Sequence, residues 1–159
     1  MSPIGDCSEG PHGSIGDWDV SDVIKMEGVF SLASAFNQDL SKWNMAKVTQ
    51  MKYMFHGAST FNKDLSKWRV SAVLNMRYMF ASAYAFDQDI SKWDVSAVTN
   101  MAHMFSSASA FDQDLSTWDV SAVTDMQYMF HRALAFNREL CGAAWVNSKA
   151  DKDHMFDGS

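Results

Sequence analysis

Apolar residues recur along this chain in one pattern with a period of 25 residues, marked by Trp18, Trp43, Trp68, Trp93 and Trp118. In the second unit the apolar positions are Leu40, Trp43, Met45, Val48, Met51, Met54, Phe55, Ala58 and Phe61. The fourth unit repeats them as Ile90, Trp93, Val95, Val98, Met101, Met104, Phe105, Ala108 and Phe111. Polar residues between these positions vary more freely. The spacing changes inside each unit. Leu40, Trp43 and Met45 end on a period of two, which predicts a short strand burying Trp43 and Met45 with Lys42 and Asn44 facing out. Val48, Met51, Met54, Phe55 and Ala58 follow at spacings of three and four, which predicts the inner face of a short helix, partly 3₁₀. Ser21, Ser71, Ser96 and Ser121 stand where a side chain accepts free N–H groups at a helix start. Ala46 shares their register and accepts nothing, so the second unit is expected to have the weakest cap. Gly57 is placed to end its helix in a left-handed conformation.

One such unit has too little bulk to bury a Trp, two Phe and several Met alone, so the units are expected to stack and bury them between neighbours. Paired strands would lie about 4.8 Å apart and in parallel. The expected fold is α/β: a right-handed solenoid of five strand–helix turns over 15–140. Residues 1–14, with Pro3, Gly5, Gly10, Pro11 and Gly13, read as an N-terminal arm. After Leu140 the register slips, and Trp145 follows Trp118 by 27 residues. Met155-Phe156 echoes Met54-Phe55 mid-unit, while Lys149 and Lys152 replace apolar positions. Residues 141–159 therefore read as a degenerate capping turn. Stopping mid-unit fits one module of a longer tandem protein or an independent chain equally well.

The L-x-x-W-x-V spacing resembles the leucine-rich repeat with Trp in place of the central Leu. The longer motif D-L-S-x-W-D-V-S-x-V-T-x-M-x-x-M-F-x-x-A-x-x-F-N/D-Q resembles a repeat of bacterial surface proteins. It is found in mycoplasma lipoproteins, in BspA-like surface proteins and also in marine algae. The resemblance runs over residues 14–140. It implies a surface protein engaged in adhesion or partner binding and implies no catalytic residues.

Composition narrows the function classes. The chain has 159 residues, 47% of them hydrophobic, yet no apolar run approaches the ~18 residues of a membrane span. No membrane insertion is expected. The N-terminus lacks the basic start and apolar segment of a signal peptide. The compartment stays open: the resemblance points to the cell surface, the bare sequence to an intracellular or excised piece. A net charge of −6 with dispersed basic residues argues against nucleic acid as a partner. Cys7 and Cys141 lie at opposite ends of a stack about 20–25 Å long, beyond the ~7 Å Cα separation of a disulfide, so two separate thiols are expected.

The outward strand positions form the first candidate surface: Lys42, Lys67, Lys92 and Thr117, beside Asn44, Arg69, Asp94 and Asp119. A cationic row next to a mixed acidic row suits recognition of a protein or glycan, or else is a solvated face that pairs with itself. A second surface, ranked lower, is the helix row Tyr53, Tyr78, His103 and Tyr128, whose rings would either anchor a partner or pack between neighbouring helices. Asp39, Asp64, Asp89 and Asp114, with Asn37, Asn62, Asp87 and Asp112 beside them, are expected to bond backbone N–H groups of their own and adjacent turns. Weak calcium binding is the minor alternative. The Met residues lie at core spacing, and His56 and His131 are about 14 Å apart, too far for one metal. No metal or cofactor is expected, no catalytic motif is present, and the chain reads as non-enzymatic. It reads as an interaction module, with a structural spacer or assembly subunit that stacks end to end as the alternative.

Overall fold

The computed structural model describes residues 12–159. The 25-residue units do lie on one another, but they are not built from strands and helices, and the expected α/β leucine-rich-repeat-like solenoid does not form. Among the described residues the helical elements are a 3₁₀ turn, Ile15–Asp17, and a single short helix α1, Ala143–Asn147. There is no sheet. Consecutive units meet in one-residue parallel bridges linking Lys25, Gln50, Asn75, Asn100, Asp125 and Asp151 in series. We call the units coils 1 to 6, covering 15–39, 40–64, 65–89, 90–114, 115–140 and 141–159.

The bridges fall in the segment expected to be helical. There the chain runs through overlapping β-turns, seen in coil 2 as Met54 N–H to Met51 O, His56 N–H to Tyr53 O and Ala58 N–H to Phe55 O, at 3.0–3.2 Å. The intervening N–H groups point across to the next coil: those of Met51, Tyr53, Phe55 and Gly57 donate to the carbonyls of Asn75, Arg77, Met79 and Ala81 at 2.8–3.0 Å. The alternation requires left-handed residues. Tyr53 and Gly57 have φ of +59° and +69°, and the equivalents Tyr78, Ser82, His103, Ser107, Tyr128 and Arg132 lie between +55° and +59°. Overlapping turns closed between residues three apart and a helix both accommodate apolar side chains at spacings of three and four, so the sequence periodicity does not separate them. What decides is the stack. A lone helix of about ten residues is marginal, whereas each coil here meets four carbonyl acceptors on the next.

The expected strand is absent for a local reason. Asp39 accepts the Ser41 N–H at 2.8 Å, and Trp43 N–H returns to Leu40 O at 3.0 Å, so this stretch closes on itself. The side chain that ties it to its neighbour is the Trp. Nε1 of Trp43, Trp68, Trp93 and Trp118 donates to the carbonyls of Ile15, Leu40, Leu65 and Ile90 in the preceding coil at 2.9–3.2 Å. A buried indole needs such a partner, which Leu at this position would not use.

The core is continuous from Ile15 to Met155 and contains no buried polar or charged residue. Two Phe columns run its length. Phe30, Phe55, Phe80, Phe105, Phe130 and Phe156 stack at 5.4–5.7 Å from coil to coil. Each inner member also stacks on a Phe of the second column, as Phe80 does on Phe86 at 3.9 Å. Residues 141–159 form coil 6 on this scaffold. Trp145 Nε1 donates to Leu115 O at 2.9 Å, and Trp145, Ala150 and Met155 are buried. Gly142, ahead of α1, passes so close to coil 5 that a Cβ would lie 2.3 Å from Ser116 O. Cys141 is exposed and free, and Cys7 lies outside the described residues. Among the described residues no helix is long and apolar enough to cross a membrane.

Candidate functional site

The side chains expected on a strand face lie on closed turns instead, and they separate into two groups. Asn44, Asp94 and Asp119 face their own backbone, accepting the N–H of Ala46, Ser96 and Ser121 at 3.0–3.2 Å. The Ser residues expected to cap helices are thus donors to the residue two positions earlier. The unit without this bond is coil 3, where Arg69 has no acceptor to offer Ser71, and not the unit containing Ala46. Bonds from the Ser96 side chain and backbone hold the Asp94 carboxyl below its ordinary range, and the Ser121 side chain and backbone do the same for Asp119.

The cations of this face differ in pairing. Lys42 meets Asp17 of the preceding coil at 2.6 Å, a contact that raises the pKa of its ammonium. Thr117 donates to Ser91 O at 3.3 Å. Lys67, Arg69 and Lys92 are exposed and make no ion pair within 4.0 Å among the described residues. Elsewhere on the stack, cations pair from coil to coil: Lys47 with Asp22 at 2.6 Å, Lys52 with Glu27 at 3.8 Å and Arg138 with Asp112 at 2.8 Å. The middle of the row thus holds three cations with no such partner.

Tyr53, Tyr78, His103 and Tyr128 are not on a helix. Each is the left-handed residue of a turn, half-buried, and together they form a ring column with centroid spacings of 4.9, 4.3 and 4.7 Å. His154 extends the column at 4.9 Å from Tyr128. The Met155-Phe156 echo contains the signal that would have placed it. Inner ring faces are covered by one another, so the column offers a partner its edges. His56 and His131 stand edge-on to Tyr53 and Tyr128, and the Arg77 guanidinium lies 5.0 Å from the Tyr78 centroid. Burial, with Arg77 and His131 nearby, pushes the His103 pKa down against the opposing pull of Asp125. His131 Nδ1 is buried without a hydrogen-bond partner.

The acidic rows are occupied by the backbone. Asn37, Asn62, Asp87 and Asp112 each accept the N–H of the residue one coil on, at 2.9–3.0 Å. Asp39, Asp64, Asp89 and Asp114 accept the Ser N–H two residues on at 2.8–2.9 Å. Among the described residues no group of three or more His, Cys, Asp or Glu is placed to hold a metal ion.

The model of a family described as Mycoplasma protein of unknown function, DUF285, matches residues 5–94 and again 63–159. The chain belongs to the DUF285 family. The two overlapping matches span nearly its whole length, in keeping with a tandem array and with the mycoplasma-type repeat that the sequence resembles. No curated protein and no solved structure matches the chain.

Proposed function

We propose that the chain is a non-enzymatic interaction module that binds an acidic stretch of a partner protein through Lys67, Arg69 and Lys92. The observation that carries this reading is their pairing state. Lys42, Lys47, Lys52 and Arg138 are each held by a carboxylate one coil away, and these three central cations of the row are not. Exposed cations of this kind, grouped on a chain of net charge −6, form a local patch of opposite sign that orients and selects an acidic partner. Trp68 and Trp93, adjacent in sequence to these cations, donate through Nε1 to the preceding coil at 3.0 Å, which sets the interval between them. On a cell surface such a module would serve adhesion, with an acidic glycan as the other ligand carrying the same charge pattern.

The test measures binding of a glutamate-rich peptide and, separately, of a sulfated glycan, to the parent and to Lys67→Glu/Arg69→Glu/Lys92→Glu over a range of salt. The parent is expected to bind the peptide, weaken as salt rises, and lose at least tenfold in the triple variant at unchanged melting temperature. Binding of the glycan alone would move the ligand class. Equal behaviour of parent and variant toward both would sink the proposal.

A further inference from the structure

In the turn segment the cross-coil backbone bonds form a ladder of one direction, with one bond at each junction running back at its start, as from Thr49 N–H to Ile24 O at 2.8 Å. At each of the five junctions four N–H groups of the earlier coil donate to four carbonyls of the later one, for example Met126, Tyr128, Phe130 and Arg132 to Asp151, Asp153, Met155 and Asp157 at 2.8–3.0 Å. Along this ladder the two ends of the stack are therefore chemically opposite. On coil 6 the equivalent N–H groups belong to Lys152, His154, Phe156 and Gly158, and among the described residues no acceptor meets them. On coil 1 the equivalent carbonyls belong to Lys25, Glu27, Val29 and Ser31, and among the described residues no donor meets them.

Exposed apolar surface gathers at the same two ends. Of the nine large hydrophobics exposed among the described residues, four (Trp18, Ile24, Val29 and Leu32) are in coil 1 and two (Val146 and Phe156) in coil 6. Phe156 is 49% exposed, while the four inner members of its column are fully buried. Val29 is 50% exposed at the register where Met54 is fully buried.

We infer that the coil 6 face of one molecule docks on the coil 1 face of a second copy, continuing the stack head to tail. The donors of residues 152–158 then meet the carbonyls of residues 25–31 in the register used inside the chain, and Phe156 and Val29 are covered. Asp151 falls opposite Lys25 of the next copy, while Asp153 opposes Glu27 and weakens the contact. A two-fold arrangement is disfavoured, because it sets donors against donors or carbonyls against carbonyls. The contact is heterologous, and it grows without closing.

The experiment is sedimentation velocity on the full chain from micromolar to millimolar, with Phe156→Asp for the coil 6 face and Val29→Asp for the coil 1 face. Leu32→Asp serves as a second coil 1 variant, because Asp tolerates the +60° φ at that position. The parent is expected to grow in mean mass with concentration. Each variant alone is expected to remain a monomer with a parental circular dichroism spectrum. A mixture is expected to form a 1:1 pair and nothing larger, because Val29→Asp keeps an intact coil 6 face and Phe156→Asp an intact coil 1 face. A parent that stays monomeric throughout, variants that still associate alone, or a mixture that fails to pair would overturn the inference.

Discussion

The indole Nε1 of Trp68 donates to the carbonyl oxygen of Leu40, 28 residues earlier and one coil back, at 3.0 Å. The same carbonyl accepts the N–H of Trp43 at 3.0 Å, so a single oxygen closes the local turn and ties two coils together. The bond also accounts for Trp at a position where an apolar side chain alone would have satisfied the core.

Trp68→Phe keeps most of the ring and leaves Leu40 O with one of its two donors. The expected cost is about 1 kcal/mol. Trp68→Ala opens a cavity between coils 2 and 3, with an expected cost of about 3–5 kcal/mol. Urea unfolding followed by circular dichroism separates the two. Equal midpoints for Trp68→Ala and the parent would contradict the stacked core.

Ser82 occupies a left-handed turn position, φ +57°, where coil 2 has Gly57. Ser82→Gly relieves that conformation and is expected to stabilise by about 0.5–1 kcal/mol after the greater freedom of the unfolded glycine is counted. The converse, Gly57→Ala, is expected to destabilise, because the new Cβ would lie 2.9 Å from Leu32 Cδ2 at an unfavourable φ. Thermal melts of both variants check the pair, and shifts of the same sign would refute the turn assignment.

His103 is held below its ordinary pKa in the fold, chiefly by burial. Its stabilising effect is therefore fully present above the unfolded value, about pH 6.5, and is lost as pH falls through the lower folded value. His103→Tyr supplies the ring already present at Tyr78 and Tyr128. The variant is expected to melt above the parent at pH 5 and close to it at pH 8. A gap that does not change with pH would show that His103 does not titrate on unfolding.

Asp39, Asp64, Asp89 and Asp114 are held below the ordinary carboxylate range by hydrogen bonds from the Ser two residues on. A depressed folded pKa contributes stability above the unfolded value, about pH 3.9, which is lost as pH falls through the folded value. Replacing all four with Asn keeps an acceptor oxygen and removes the titration. The acid limb of the melting curve is then expected to flatten below about pH 4, and an unchanged limb would count against these bonds.

Lys42 and Asp17 pair at 2.6 Å, but both side chains are more than half exposed. Lys42→Ala is expected to leave the melting temperature close to the parent's, because an exposed pair is screened by solvent. Calorimetry on this variant calibrates the melting control for charge reversal along the same row, and a marked drop would make that control unsafe.

Much of this molecule could be read from its residues before any coordinates: the 25-residue period, the apolar set inside it and the stacking that buries a Trp such as Trp68. Those features depend only on which side chains avoid water, and composition at fixed intervals states that directly. The Asp39-type residues were also legible as backbone acceptors, because a short carboxylate two residues before Ser has few other local partners. The form of the backbone was not legible. Val48, Met51, Met54 and Ala58 have the spacing of a helix and of a run of turns alike. The left-handed φ of Tyr53 and Tyr78 has no mark in residue type, since neither is a glycine. Those angles persist because the next coil presents a carbonyl to every second N–H, an interaction that exists only once the coils are assembled. The same holds for the cationic row. Lys42 and Lys67 are identical letters one period apart, and only the tertiary structure gives one a carboxylate at 2.6 Å and leaves the other without an ion pair among the described residues.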